Sequence, residues 1–245
     1  MRVMTISGAI AIVVVATVAV AGLVARNAWI KNKIAALSGP PAIAFAEDNS
    51  HLPSKRDRLR VVLIGDSSFG RLPTGKVDDR WQFINRGVGG ETTAQIAQRF
   101  DRDALALSPD VVVLWAGVND LVAAEFLDPA ARRATVDRTF ETLVDLTRRG
   151  AGRGVRVILA TIAPPSRPDL LRLPVWRESV RDAVADVNRR IREFSAKSGV
   201  GLADFAAALD SGDRRTPEAY RADTLHLNAA GYQRVEQELC RALAD

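Results

Sequence analysis

The chain has 245 residues, of which 47% are hydrophobic and 26% charged, with a formal net charge of +5 and a pI near 9.9. This is the balance of an ordinary globular protein and excludes a disordered or fibrous chain. One cysteine, Cys240, and two histidines, His51 and His226, exclude an intrachain disulfide, a cysteine-based zinc site and a poly-histidine metal centre.

The charge is unevenly placed. Residues 1–46 carry Arg2, Arg26, Lys31 and Lys33 and no acidic residue, a net of +4. The remainder holds 30 basic and 29 acidic groups, a net of +1. The basic pI therefore belongs to the N-terminal segment and gives no support for a nucleic-acid partner.

Within that segment, Val3 to Ala25 is an uncharged run dominated by Val, Ala and Ile. As a helix it is about 34 Å long, enough to cross a bilayer core of about 30 Å. Two readings stand for residues 1–25. One is a transmembrane anchor; the other is a signal peptide cleaved at the small-x-small pattern Ala19-Val20-Ala21. Length favours the anchor, since the apolar run of a signal peptide usually spans roughly 7–15 residues. A second such pattern, Ala44-Phe45-Ala46, lies too far from the apolar run to serve. The positive-inside rule leans toward a cytoplasmic domain, with Arg2 before the span and Arg26, Lys31 and Lys33 after it. A short basic start followed by an apolar run is nevertheless the pattern of an export signal. The expectation is a membrane-attached protein whose domain is exported, periplasmic or extracellular; secretion after cleavage and a cytoplasm-facing domain are the alternatives. The cationic flank also suits contact with anionic headgroups.

Residues 26–58 read as a linker, with breakers concentrated from Ser38 onward, and His51 reads as a solvated histidine within it. From residue 59, short β-branched runs alternate with helical stretches. Strands are expected at Leu59–Ile64, Gln82–Asn85, Val111–Trp115, Val155–Thr161 and Val200–Ala203. Helices are expected at about 91–107, 129–149, 174–198 and 229–243, the last behind an Asn228 cap. Continuous apolar strands suit a parallel sheet buried on both faces, so residues 59–245 form one three-layer α/β/α domain. Ligands of such sheets bind beyond the carboxyl ends of the strands.

The residues at those ends carry chemistry. Gly65-Asp66-Ser67-Ser68 presents a serine after a sharp turn, with Asp66 read as the turn organiser. Asn85-Arg86-Gly87-Val88-Gly89-Gly90-Glu91 has the glycines of a backbone that approaches a ligand closely or adopts positive φ. It lacks the P-loop and dinucleotide spacings, so an oxyanion-binding N–H is the better functional reading and a tight strand-to-helix turn the structural one. After the third strand, Gly117-Val118-Asn119-Asp120 places an amide side chain at the same end. Asp120 reads as a cap or loop organiser, and Trp115 reads as core. In Asp223-Thr224-Leu225-His226 the carboxylate can reach Nδ1 of the imidazole and leave Nε2 as a base. His226 is the sole histidine of the domain, so histidine-dependent chemistry must use it.

In this order the four blocks resemble those of the SGNH, or GDSL-type, hydrolases over residues 59–245. Glu91 stands where Asp is frequent in that family and Thr224 where Gly is frequent. The resemblance implies a flavodoxin-like fold with a parallel five-stranded sheet and a serine esterase that needs no cofactor or metal. It implies Ser67 as nucleophile, His226 as base and Asp223 as its support, with an oxyanion hole of Ser67, Gly90 and Asn119. An O-acyltransferase with the same triad and a non-catalytic binding domain are the rival functions. The partner is a small-molecule ester. Short connections at Phe69–Trp81, Leu121–Asp128, Ala163–Leu173 and Phe205–Ala222 suggest an open cleft and short acyl groups such as acetyl, on a carbohydrate or a lipid.

Overall fold

The computed structural model describes residues 6–41, 45–55, 58–73, 80–170, 172–210 and 212–245. The start of the apolar run, linker residues 42–44 and 56–57, and parts of the Phe69–Trp81, Ala163–Leu173 and Phe205–Ala222 connections lie outside the described residues. The elements, in chain order, are α1 (Ile6–Ala36), α2 (Ala46–Ser50), β1 (Leu59–Gly65), α3 (Ser67–Gly70), β2 (Trp81–Gly87), α4 (Thr93–Asp103) and β3 (Val111–Trp115). Then come α5 (Val118–Ala124), α6 (Pro129–Ala151), β4 (Arg156–Ala160), α7 (Ser179–Ser198), β5 (Gly201–Ala203), α8 (Phe205–Leu209) and α9 (Ala229–Ala244).

The five strands form one parallel sheet in the order β2-β1-β3-β4-β5. This is the flavodoxin-like order, with its switch point between β1 and β3. Alternation along the strands feeds two cores. Val62, Ile64, Val112 and Leu114 meet α4, α5, α6 and α7 on one face. Val61, Leu63, Val113 and Trp115 meet α3, α8 and α9 on the other. Burial on both faces explains the unbroken apolar runs. Trp115 lies in the second core, 5.2 Å from Phe69 and 4.5 Å from Phe205 between ring centroids.

Register sets up the site. Gly65 pairs with Gly87 on one side and Trp115 on the other, so β1, β2 and β3 end level with one another. The chain at Gly65 is packed backbone to backbone, and a Cβ there would stand 2.0 Å from the Trp115 carbonyl oxygen. No flexible side chain can yield at that contact. Gly65→Ala is expected to cost about 3 kcal/mol or more and to lower Tm by roughly 6–12 °C in a thermal melt; an unchanged Tm would contradict this packing.

Two differences from the expected elements matter for function. First, α1 does not stop at the end of the apolar run but continues through Arg26–Ala36, where a linker was expected. Within it, Val13–Ala36 is by length and composition long and apolar enough to cross a membrane. The continuation is held by tertiary contact: Trp29 packs edge-on against Phe126 at 5.7 Å, and Arg26 Nε donates to the Pro174 carbonyl at 3.2 Å. Second, α7 begins at Ser179, and Arg172–Glu178 precede it as turns and irregular chain. His51 is exposed and bonds only within its own neighbourhood, to Ser50 and the Glu47 carbonyl.

Candidate active site

Ser67 opens α3, directly after β1. Asp66 caps that turn, its Oδ1 accepting from the Ser68 N–H at 2.8 Å. Two further bonds fix the turn from outside. Asn85 Nδ2 donates to the Phe69 carbonyl at 2.6 Å, and the Tyr232 hydroxyl donates to the Ser68 carbonyl at 3.0 Å. Burial pushes the Tyr232 hydroxyl well above its ordinary pKa, so it remains a neutral donor.

His226 comes from the loop before α9. Its Nδ1 lies 2.6 Å from Asp223 Oδ2, and its Nε2 lies 3.1 Å from Ser67 Oγ. The carboxylate can only accept at neutral pH, so Nδ1 carries the proton and Nε2 presents its lone pair to the serine. The other carboxylate oxygen, Oδ1, accepts from the Leu225 and His226 N–H groups at 2.8 and 3.0 Å. Burial works against the charge on Asp223. The bonds from His226 and Leu225, with the His226 and Arg172 charges, outweigh it and hold the carboxyl below its ordinary range.

The glycine loop and Asn119 complete the strand-end cluster. Gly90 has φ +83°, a left-handed conformation natural to glycine. A Cβ at the adjacent Gly89 would stand 4.0 Å from the Ser67 Cβ, so this loop runs beside the serine. Asn119 is buried in the first turn of α5, and its Nδ2 donates to the Glu91 carbonyl at 3.0 Å. The structure thus brings Ser67, His226, Asp223, the Gly89–Gly90 loop and Asn119 to the carboxyl end of the sheet, around its switch point.

Three supporting groups were not evident from sequence. Arg99 is fully buried on α4; it pairs with Glu91 at 2.7 Å and donates to the Gly65 and Arg86 carbonyls at 3.1 and 2.9 Å. It therefore ties the ends of β1 and β2 to the glycine loop, and Glu91 gains a specific role. The signal was an acid and a base eight residues apart, separated by a helix start. Thr224, likewise, donates to Asp169 at 2.9 Å, while its carbonyl accepts from the Ser166 N–H at 2.9 Å. It pins the 164–175 segment to the loop that carries His226. The third group, Lys33 of α1, donates from Nζ to Asn119 Oδ1 at 2.9 Å. Between α1 and the 164–175 segment lies a cleft of about 630 Å³, lined by Trp29, Arg26, Arg172, Val175 and Asp223 among others. Short connections led to the expectation of an open cleft; α1 walls it on this side.

Asp120, in the first turn of α5, ties that helix to the start of α4, accepting from the Thr93 N–H and, at 2.7 Å, from the Thr93 hydroxyl. Burial raises both Asp66 and Asp120 to about 6, against the bonds from Ser68 and Thr93 that favour their charged forms. The folded chain thus holds protons that the unfolded chain has released between about pH 4 and 6. Stability contributed by these groups falls as pH rises through that window and is level above it. Asp120→Asn keeps an acceptor for Thr93 and removes the titration. Its stability relative to the unsubstituted chain is expected to improve from pH 4.5 to 7, by up to ~2 kcal/mol. Denaturant titrations at the two pH values measure it; a parallel pH dependence in both proteins would refute it. Among the described residues no group of three or more His, Cys, Asp or Glu side chains converges.

Solved structures share this architecture. A GDSL-like lipase from Bacteroides thetaiotaomicron is 24% identical with a TM-score of 0.69, over 82% of this chain and 95% of that one. A member of the lipolytic G-D-S-L family from Veillonella parvula is 17% identical with a TM-score of 0.61, over 76% and 98%. A catalytic mutant of an acetylxylan esterase from Geobacillus stearothermophilus is 17% identical with a TM-score of 0.61, over 78% and 96%. No curated protein sequence matches the chain. The sequence model of the GDSL-like Lipase/Acylhydrolase family matches residues 63–234, which reach from β1 into α9 and include every strand-end block. The chain belongs to that family of ester-hydrolysing enzymes.

Proposed function

We propose that the protein is a serine esterase that works through an acyl-enzyme on Ser67, with His226 as general base and Asp223 as its support. The observation that carries this reading is the imidazole standing between the two groups, 2.6 Å from the carboxylate and 3.1 Å from the hydroxyl. As Ser67 Oγ attacks the ester carbonyl, Nε2 takes its proton, and the Asp223 carboxylate stabilises the imidazolium that forms. The negative charge on the carbonyl oxygen is received by the Ser67 and Gly90 N–H groups and by Asn119 Nδ2. His226 then returns the proton to the departing alcohol. Water, deprotonated by the same nitrogen, releases the acid and restores Ser67.

The short connections at the active face support a short acyl group, acetyl or similar, with a carbohydrate or a lipid as the alcohol part. An acetylxylan esterase among the structural neighbours is in keeping with the first of these. Helix α1 supports attachment of the enzyme to a membrane, and the basic start of the chain at Arg2, followed by an apolar run, supports an exported domain.

The test is covalent labelling of the full-length protein in detergent with a fluorophosphonate, followed by peptide mapping and turnover of nitrophenyl esters of increasing chain length. A single label on Ser67 and rates that fall beyond short chains are expected. A label elsewhere overturns the nucleophile, and rates that rise with chain length overturn the acyl preference.

A further inference from the structure

Lys33 reaches the site from α1, which lies outside the residues that the family model matches. Its ammonium group can only donate, and Asn119 Oδ1 accepts from it at 2.9 Å. The Glu91 carbonyl can only accept, and Asn119 Nδ2 donates to it at 3.0 Å. With a donor on one side and an acceptor on the other, the Asn119 amide has a single favourable orientation. Rotating it by half a turn would set NH₂ against NH₃⁺ and oxygen against oxygen in a buried place, losing both bonds. Glu91 alone would still leave Oδ1 to find a partner. Lys33 provides that partner, and a cation on Oδ1 also draws electron density from the amide and makes Nδ2–H a stronger donor.

The position of Lys33 is itself held from both sides. Before it, Trp29 lies on Phe126 and Arg26 bonds Pro174. After it, the Ala36, Gly39 and Pro40 carbonyls accept from Thr92, Gln98 and Gln95 of α4 and its cap, at 2.9, 3.2 and 2.8 Å. A side chain that merely drifted onto the site would not be bracketed in this way.

We propose that Lys33 is a positioning residue for the oxyanion hole, so that the docked C-terminal half of α1 completes the active site. The inference rests on the reading of Asn119 as an oxyanion donor. Its consequence is that a helix suited to membrane attachment also sets the strength of a catalytic hydrogen bond.

The experiment uses the full chain in detergent with nitrophenyl acetate. Lys33→Met is expected to lower kcat about 10–100-fold, somewhat less than the 10²–10³ typical of losing a donor outright, with KM within about threefold. Lys33→Ala, which keeps helix propensity, is expected to behave alike, so a folding defect in one variant leaves the other to decide. Lys33→Arg is expected to recover most of the rate. On an Asn119→Ala background the Lys33 substitution is expected to add less than about twofold, because the two act as one unit. An unchanged or increased kcat in both Lys33 variants overturns the proposal, and so does a full, additive loss on the Asn119→Ala background. Failure of the underlying reading looks different: Asn119→Ala itself would leave kcat unchanged.

Discussion

Ser67→Ala is expected to lower kcat for nitrophenyl acetate by about 10⁵–10⁶. The substitution removes the proposed nucleophile and little else. Ser67 Oγ has its side-chain bond with His226 Nε2, and the turn is held instead through Asp66, Asn85 and Tyr232. The Ser67 N–H and the other proposed oxyanion donors remain in the variant, so a residual acceleration of about 10³–10⁴ over water is expected rather than none. Tm should stay within about 2 °C, since a small, half-buried hydroxyl contributes little to stability. Initial rates on protein of matched Tm measure the effect. A loss smaller than tenfold would remove Ser67 from the chemistry.

Asp223→Asn is expected to lower kcat by about 10⁴ without unfolding the loop. The reason lies in how the two carboxylate oxygens are used. Oδ1 is committed to the Leu225 and His226 N–H groups, and only an oxygen can take that place. The amide nitrogen of the variant must therefore face His226 Nδ1, as a donor where the carboxylate was an acceptor. Nδ1 then becomes the acceptor and the ring proton moves to Nε2, where it confronts Ser67 with the wrong polarity. The imidazolium also loses its counter-charge. A full-rate Asp223→Asn enzyme would show that the carboxylate is not part of the proton path. Nitrogen chemical shifts of His226 report the tautomer independently of rate.

The parts legible in the sequence were those governed by local pattern. Leu59–Ile64, Val111–Trp115 and Val155–Thr161 named three strands because a strand buried on both faces has few polar positions to spare. Val111–Trp115 has the expected bounds, whereas β2 runs longer, Trp81–Gly87, because its flanking residues pair with β1. The short helices α3, α5 and α8 follow strand ends directly, and no periodicity accumulates over so few residues. The candidate site was legible through its blocks, since each carries a chemically capable residue and the structure brings them to one end of the sheet.

What remained illegible depended on contacts between distant segments. Arg86, Arg99 and Arg102 look alike in a chain with many arginines, yet among these three Arg99 alone is fully buried against Glu91. Lys33 looked like one charge of a cationic flank, and residues 26–36 like a linker, because neither carries a local signal for docking.

The sequence by itself determined the alternating α/β order, the apolar run long enough to cross a bilayer and the residues with chemical potential at each strand end. These follow from side-chain period, length and composition, which are properties of contiguous chain. Only the tertiary structure decided that Ser67 and His226, 159 residues apart, stand at hydrogen-bond distance, and that α1 walls the cleft and delivers Lys33 to Asn119. Those facts arise from strand register and from a helix packed across a sheet end. Distance along the chain carries no information about either.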